Sequence, residues 1–93
     1  MTENEYKKSW EERGYSFGKG TVTLERGVSQ ASHDKQDELV VVVNGLLEFT
    51  IDESTFVAEC YKEVFIPAKS VHSIKNIGVE GSVIYYGYKT KDL

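Results

Sequence analysis

The spacing of apolar residues changes once along the chain, from a helical period to a strand period. Within residues 2–13, Tyr6 and Trp10 stand four positions apart in an otherwise polar segment, so they share one face of a helix. Thr2 followed by Glu5 fits a capping box, and the glycine after the segment stands where helices commonly end. The pattern predicts a short N-terminal helix whose two aromatic side chains seal one end of the domain.

The rest of the chain alternates apolar and polar residues with a period of two, which is typical of half-buried strands. Turn segments rich in Gly, Asn, Asp or Ser separate most of the candidate strands. The predicted strands cover residues 15–17, 21–25, 38–43, 46–51, 55–60, 64–66, 72–77 and 82–88. Many short strands at close spacing favour a β-sandwich or barrel.

The dipeptide at residues 44–45, Asn-Gly between apolar strands, is a strong signal for a two-residue hairpin turn. Counting outward from that turn gives one apolar face with Glu38 at its end. The apolar members of that face are Val40, Val42, Leu47, Phe49 and Ile51. We expect the face to line the interior, where a carboxylate is costly unless it is paired, protonated or bound to a cation.

The two histidines of the chain differ in how well the pattern orients them. Alternation along residues 72–77 places His72 and Ile74 on one side, so His72 is expected to point inward. His33 precedes Glu38 by five residues, and an unbroken strand would send the two side chains to opposite faces. They converge only if the polar segment between them bends.

The segment around His72 resembles the second sequence motif of the cupin superfamily. Pro67, His72 and Asn76 keep the spacing of that motif, while Tyr61 and Lys69 stand at its two glycine positions. We expect Asn76 to serve a structural role. If the backbone at Lys69 needs a positive φ, a lysine there carries strain of about 1 kcal/mol.

The segment around Glu38 resembles the first cupin motif. His33, Glu38 and Gly45 match its second histidine, its glutamate and its glycine, and Ala31 occupies the place of its first histidine. An alternative register takes His33 as the first histidine and Lys35 in place of the second, but it shortens the spacing to Glu38. We prefer the register with Ala31.

This resemblance implies an all-β fold, the cupin jelly-roll barrel or double-stranded β-helix, with the short helix as an addition. We expect residues 1–14 to form the helix packed on the barrel and residues 15–93 to form a single cupin barrel domain. Small single-domain cupins are often homodimers. Leu39, Val41 and Val43 on the second hairpin face are too apolar for open water, so we expect another sheet or a second copy to cover them, and we favour a homodimer.

The resemblance also implies a divalent metal held by His33, Glu38 and His72, with a small organic ligand beside it. Iron, manganese, zinc, nickel and copper all suit such ligands. As an enzyme, the protein would be a metal-dependent cupin such as a dioxygenase or isomerase. The alternative is a metal-free degenerate cupin, a small-ligand-binding or regulatory and interaction module, in which Glu38 and His72 simply pair.

Composition narrows the other possibilities. The 93 residues suffice for one domain, and the net charge of −4 with scattered Lys and Arg argues against nucleic-acid binding. The longest apolar run is too short for a membrane span, and the N-terminus is too polar for a secretory signal. A single cysteine, Cys60, is expected to be a buried thiol in a cytoplasmic protein. One of Tyr85 and Tyr86 should line the interior.

Overall fold

The computed structural model describes residues 1–24, 29–32 (backbone only) and 35–90. Within these residues, one helix precedes eight strands. Their bounds are α1 Glu3–Glu12, β1 Gly18–Val22, β2 Ser29–Ser32, β3 Gln36–Val42, β4 Leu47–Ile51, β5 Ser54–Val57, β6 Glu63–Ile66, β7 Val71–Asn76 and β8 Ser82–Thr90.

The strands form two four-stranded antiparallel sheets. Sheet A has the order β1-β8-β3-β6, and sheet B has the order β2-β7-β4-β5. The inner core between them contains residues of both sheets, namely Val22, Val40, Val42, Leu47, Phe49, Ala58, Val64 and Ile66. The all-β prediction is confirmed, and eight strands in two facing sheets are the arrangement of a jelly roll.

The predicted hairpin at residues 44–45 is wrong. β3 pairs with β6 and β8, whereas β4 pairs with β5 and β7, so the Asn-Gly turn connects the two sheets. The Asn44 side chain accepts a hydrogen bond from the amide of Val83 at 2.8 Å, which ties the turn to β8. A side chain at Gly45, where φ is +86°, would meet Ser82 Oγ, so this crossing requires glycine.

The interior face deduced from that hairpin is nevertheless observed. Val40, Val42, Leu47 and Phe49 are fully buried in the inner core, and Glu38 is buried in line with them. The two strands contribute to this face from opposite sheets. The inference survives because alternation along each strand decides which side chains point inward, whatever the partner strand is.

Helix α1 covers the outer face of sheet A. Tyr6 and Trp10 are its buried residues, and they pack against Leu39, Val41 and Tyr85. Both reciprocal hydrogen bonds of the predicted capping box are present at Thr2 and Glu5. The apolar face that motivated the homodimer is therefore packed against the helix, and the homodimer itself stays a prediction.

Two further expectations differ from the structure, and a third is not tested by it. A single strand, β1, replaces the predicted strand at 15–17 and the described part of the one at 21–25, whose last residue lies outside the described residues. Strand β2 was not predicted because residues 29–32 contain little apolar alternation. Cys60 is exposed, since β5 ends at Val57 and the cysteine lies in the turn that follows. His33, one of the three predicted metal ligands, lies outside the described residues.

Candidate functional site

Glu38 is the charged side chain that β3 directs into the barrel. Its side chain is 7% exposed, and its backbone pairs with Tyr88 on β8 and with Ile66 on β6. Because directly paired residues share a side of the sheet, Tyr88 and Ile66 flank the carboxylate from both neighbouring strands. Glu38 is thus held at the centre of sheet A.

His72 approaches Glu38 from the opposite sheet. It lies on β7, and its Nε2 atom is 3.6 Å from Glu38 Oε1, with both side chains buried. That separation is longer than a hydrogen bond between these atoms. The structure therefore confirms the inward orientation of His72 and brings two of the three predicted ligands together.

Tyr88 is the hydroxyl partner of Glu38. Burial raises the pKa of Tyr88, and the nearby negative charge of Glu38 and a hydrogen bond between the two side chains raise it further. The phenol therefore stays protonated and donates its hydrogen to the carboxylate. Tyr88 adds a polar group to the same end of the barrel as Glu38.

A cavity of about 350 Å³ opens beside these residues. It lies against the inner face of sheet A, and its lining combines a carboxylate, hydroxyl groups and aliphatic side chains. The lining residues are Gly20, Thr21, Val22, Glu38, Ile84, Tyr86 and Tyr88. As expected, one residue of the tyrosine pair at 85–86 faces the interior: Tyr86 lines the cavity, while Tyr85 packs under helix α1.

Two glycines on β1 lie beside the Tyr86 ring, and Gly20 also lines the cavity. Gly18 pairs with Tyr86 and Gly20 pairs with Ile84, so both face the interior. A Cβ atom at Gly18 would lie 2.7 Å from Tyr86 Cζ, and one at Gly20 would lie 3.4 Å from Tyr86 Cε1. The tyrosine ring therefore rests against the glycine backbone of the edge strand.

Glu38 and His72 fit a metal ion as two of its ligands. Ligand atoms about 2.0–2.1 Å from a tetrahedral ion stand roughly 3.4 Å apart, close to the observed separation of 3.6 Å. Among the described residues no group of three His, Cys, Asp or Glu side chains could hold an ion. A third His, Cys, Asp or Glu ligand would have to come from outside that part of the chain.

The register of β2 bears on the missing first histidine of the motif. Ala31 on β2 pairs directly with His72 on β7, so the backbone at residue 31 lies beside that of His72. A histidine at that position would be a neighbour of His72, and alanine supplies no ligand atom. β2 ends at Ser32, immediately before His33.

The loop that leads to His72 has the backbone expected from the second motif. Lys69 has a φ of 71°, as predicted, and Tyr61 at the other glycine position has a φ of 64°. Asn76 is structural, because its amide donates to the carbonyls of Val22 and Glu80 and accepts from the amide of Gly78.

The comparison with protein families agrees with the two motifs. Residues 4–84 match the model of the mannose-6-phosphate isomerase C-terminal family. The chain belongs to this family. It is a small protein of the cupin superfamily, as the resemblance implied. No curated protein matches the sequence.

Solved structures similar to this family member include several cupin domains. The Schizosaccharomyces pombe Cnp3 cupin domain has a TM-score of 0.75 and 22% identity over 86% of this chain and 58% of that one. The Cupin_2 domain of an XRE family transcriptional regulator from Enterobacter cloacae has a TM-score of 0.73 and 20% identity, covering 89% and 90%. A predicted oxalate decarboxylase from Thermotoga maritima has a TM-score of 0.72 and 15% identity, covering 90% and 73%.

These likenesses concern the fold. The chain spans 58% of the Cnp3 cupin domain and 64% of a second similar structure, a protein from Photorhabdus luminescens. Within the described residues, no helix has the length and apolar character needed to span a bilayer.

Several cavity residues were not predicted from the sequence. Tyr88, Thr21 and Gly20 belong to no motif, and neither does Gly18, which lies against the Tyr86 ring. The glycine spacing of Gly18-Lys-Gly20 was an available signal, because two glycines at a period of two remove side chains from one face of a strand.

Proposed function

We propose that this family member binds a divalent metal ion through Glu38, His72 and His33, and a small organic ligand in the adjoining cavity. The observation that carries the proposal is the 3.6 Å separation of His72 Nε2 and Glu38 Oε1 inside the barrel. An imidazole nitrogen and a carboxylate oxygen from opposite sheets converge at a spacing that suits two bonds to one ion.

The chain's own residues would prepare this site in distinct ways. His72 would supply a neutral nitrogen donor, and Glu38 would supply a negative oxygen that offsets part of the ion's charge. The Tyr88 hydroxyl, bonded to Glu38, would hold the carboxylate in place, as hydrogen-bonded neighbours of metal ligands commonly do. A bound ion would supply Lewis acidity to a ligand in the cavity.

A metal-free binding barrel is the second candidate. It is favoured by Ala31, which pairs with His72 where the first motif places a histidine. In that case Glu38 and Tyr88, which line the cavity, would contact the organic ligand directly. The cavity would serve both candidates, so metal content distinguishes them.

Metal uptake tests the proposal directly. Freshly purified protein, and protein stripped with a chelator and reloaded, would be measured by plasma mass spectrometry and by thermal unfolding. We expect near-stoichiometric metal in the wild type and loss of uptake in Glu38→Gln, His72→Ala and His33→Ala. An ion present at about a hundred times its Kd would stabilise the fold by roughly 2.7 kcal/mol.

Glu48→Gln is the matched control. Glu48 lies on β4 between the buried Leu47 and Phe49, so its side chain points away from the interior, and its backbone pairs with Lys75. This variant should retain the metal. Wild-type protein that takes up no metal from a panel of divalent ions would refute the proposal and favour the metal-free barrel. Retention of metal by His33→Ala alone would remove His33 from the ligand set.

A further inference from the structure

The interior of the cavity changes from apolar to polar along β8. Ile84, Tyr86 and Tyr88 occupy alternate positions and all line the cavity, so they form one row of roughly 13 Å. Val22 lies beside the apolar end, and Glu38 pairs with Tyr88 at the polar end. A ligand that fills this row needs an apolar body and a polar group at one end.

Tyr86 forms the middle of the row, and β1 fixes where its ring lies. A side chain at Gly18 would collide with the ring, with a Cβ 2.7 Å from Cζ and 2.9 Å from the hydroxyl oxygen. The ring also contacts Tyr88 edge-on, with centroids 6.1 Å apart and an interplanar angle of 62°. The ring is thus backed by strand backbone and steadied by a second tyrosine, as a rigid stacking wall requires.

Gly20 leaves part of the cavity without a side chain. It lines the cavity and faces inward opposite Ile84. An added Cβ there would make ordinary contact with Tyr86, at 3.4 Å from Cε1, so the backbone accepts a side chain without displacing the ring. Residue 20 therefore controls how much of the cavity stays open.

The polar end accepts hydrogen bonds. Glu38 and Tyr88 pair directly across β3 and β8, both line the cavity, and both side chains end in oxygen atoms. A ligand hydroxyl can donate to these oxygens, and its own oxygen can still bind an ion held between Glu38 and His72. The same group therefore suits the cavity with or without a metal.

We propose that the cavity takes a small aromatic or heteroaromatic ring that carries a hydroxyl group. Tyr86 is the stacking wall, and Gly20 sets the size of ring that enters. This inference rests on the organic-ligand part of the proposed function and is independent of its metal part.

Three primary alcohols matched in carbon count test the ring requirement: benzyl alcohol, cyclohexylmethanol and heptanol. Binding to the full chain would be followed by NMR titration, before and after chelation of metal. We expect benzyl alcohol to bind roughly two- to tenfold more tightly than heptanol, with cyclohexylmethanol between them. Tyr86→Phe should keep this order and Tyr86→Leu should abolish it. Equal affinities, no binding, or an order that persists in Tyr86→Leu would overturn the assignment.

The bicyclic probe naphthylmethanol tests the limit on ring size. This test of the cavity does not depend on whether Tyr86→Leu folds. Gly20→Val should weaken naphthylmethanol binding by about tenfold or more, and benzyl alcohol binding much less. Lys19→Val places the same side chain at the neighbouring, exposed position of β1 and should change the affinity for neither probe. Equal losses for both probes would overturn the role of Gly20. A preference for the aromatic ring without metal uptake would refute only the metal proposal. Metal uptake without a preference for the aromatic ring would refute only the proposal of an aromatic ligand.

Discussion

At the scale of single residues, three of the described non-glycine residues occupy backbone conformations that favour glycine: Asp52, Tyr61 and Lys69. The surroundings of Tyr61 and Lys69 differ. Tyr61 has a φ of 64°. Its ring stacks on that of Tyr6, with centroids 6.5 Å apart, and its backbone carbonyl accepts a hydrogen bond from the Tyr6 hydroxyl at 2.8 Å. Lys69 has a φ of 71° and an exposed side chain. The contacts of Tyr61 offset its backbone strain, whereas an exposed lysine gains little from its position.

Lys69→Gly should therefore stabilise the protein. Removing the Cβ relieves left-handed strain of about 1 kcal/mol, less the added chain entropy of glycine in the unfolded state. Urea denaturation would show a higher midpoint for Lys69→Gly. Tyr61→Gly is the control, because it gives the same backbone relief but loses the stacking and should not stabilise. A midpoint for Lys69→Gly at or below that of the wild type would contradict the strain at this position.

The candidate site was predictable to the extent that it depends on one strand at a time. Glu38 and His72 point inward because successive side chains of β3 and of β7 alternate between the two faces of the sheet. The sequence shows this alternation directly. Tyr88 and Gly18 were missed because their roles depend on cross-strand pairing, Glu38 with Tyr88 and Gly18 with Tyr86. Such pairs join distant parts of the chain, and no local pattern specifies them.

At the scale of elements, helix α1 is joined to β6 through one carboxylate. The Glu63 carboxylate accepts hydrogen bonds from the two terminal guanidinium nitrogens of Arg13, at 2.8 and 3.0 Å. It also accepts one from the indole Nε1 of Trp10, at 3.0 Å. The Arg13 hydrogen bonds hold the pKa of Glu63 below its ordinary value of 4.5, against the opposing effect of burial. The charged form of Glu63 therefore stabilises the contact between helix and sheet.

This contact should depend on pH in a definite direction. Because the folded-state pKa of Glu63 is lowered, its contribution is present above the ordinary value of 4.5 and is lost as the pH falls through the folded pKa. Glu63→Gln should cost roughly 1 kcal/mol of unfolding free energy at about pH 7, and the difference from wild type should shrink towards about pH 3.

The exposed pair of Glu59 and Lys62, at 2.7 Å, provides the control for that experiment. Solvent screens this ion pair, so Glu59→Gln should leave the unfolding midpoint unchanged across the same pH range. A Glu63→Gln deficit that stays constant with pH would show that lost packing, not the charge of Glu63, causes it.

Elements were predicted well where the signal is local and poorly where it is topological. The capping box of α1 lies within one helical turn, so the sequence predicts it correctly. The Asn-Gly turn also predicts a tight reversal, yet the chain at residues 44–45 crosses to the other sheet, where Asn44 bonds to the amide of Val83. Long-range pairing with β8 and β6 outweighs the local preference for a hairpin.

At the scale of the whole molecule, sheet A lies between two apolar clusters. The inner cluster includes Val40 and Leu47, and the outer cluster includes Val41 and Trp10. β3 contributes to both, since its successive side chains point to opposite faces and those from residue 39 to residue 42 are all nearly or fully buried. Loss of either cluster therefore leaves one face of β3 without a partner, and the helix and barrel should unfold together.

The single tryptophan makes this coupling measurable. Trp10 reports on the contact between α1 and sheet A, and far-ultraviolet circular dichroism reports on the secondary structure as a whole. In urea, the two signals should give one coincident transition. Leu47→Ala, in the inner cluster on the other side of the sheet, should lower both midpoints equally, at a cost of about 2–5 kcal/mol. Val57→Ala on the exposed edge strand β5 should move neither. An earlier fluorescence transition, or a Leu47→Ala shift confined to one signal, would mean that α1 is a separately melting attachment and that the two clusters do not support each other through β3.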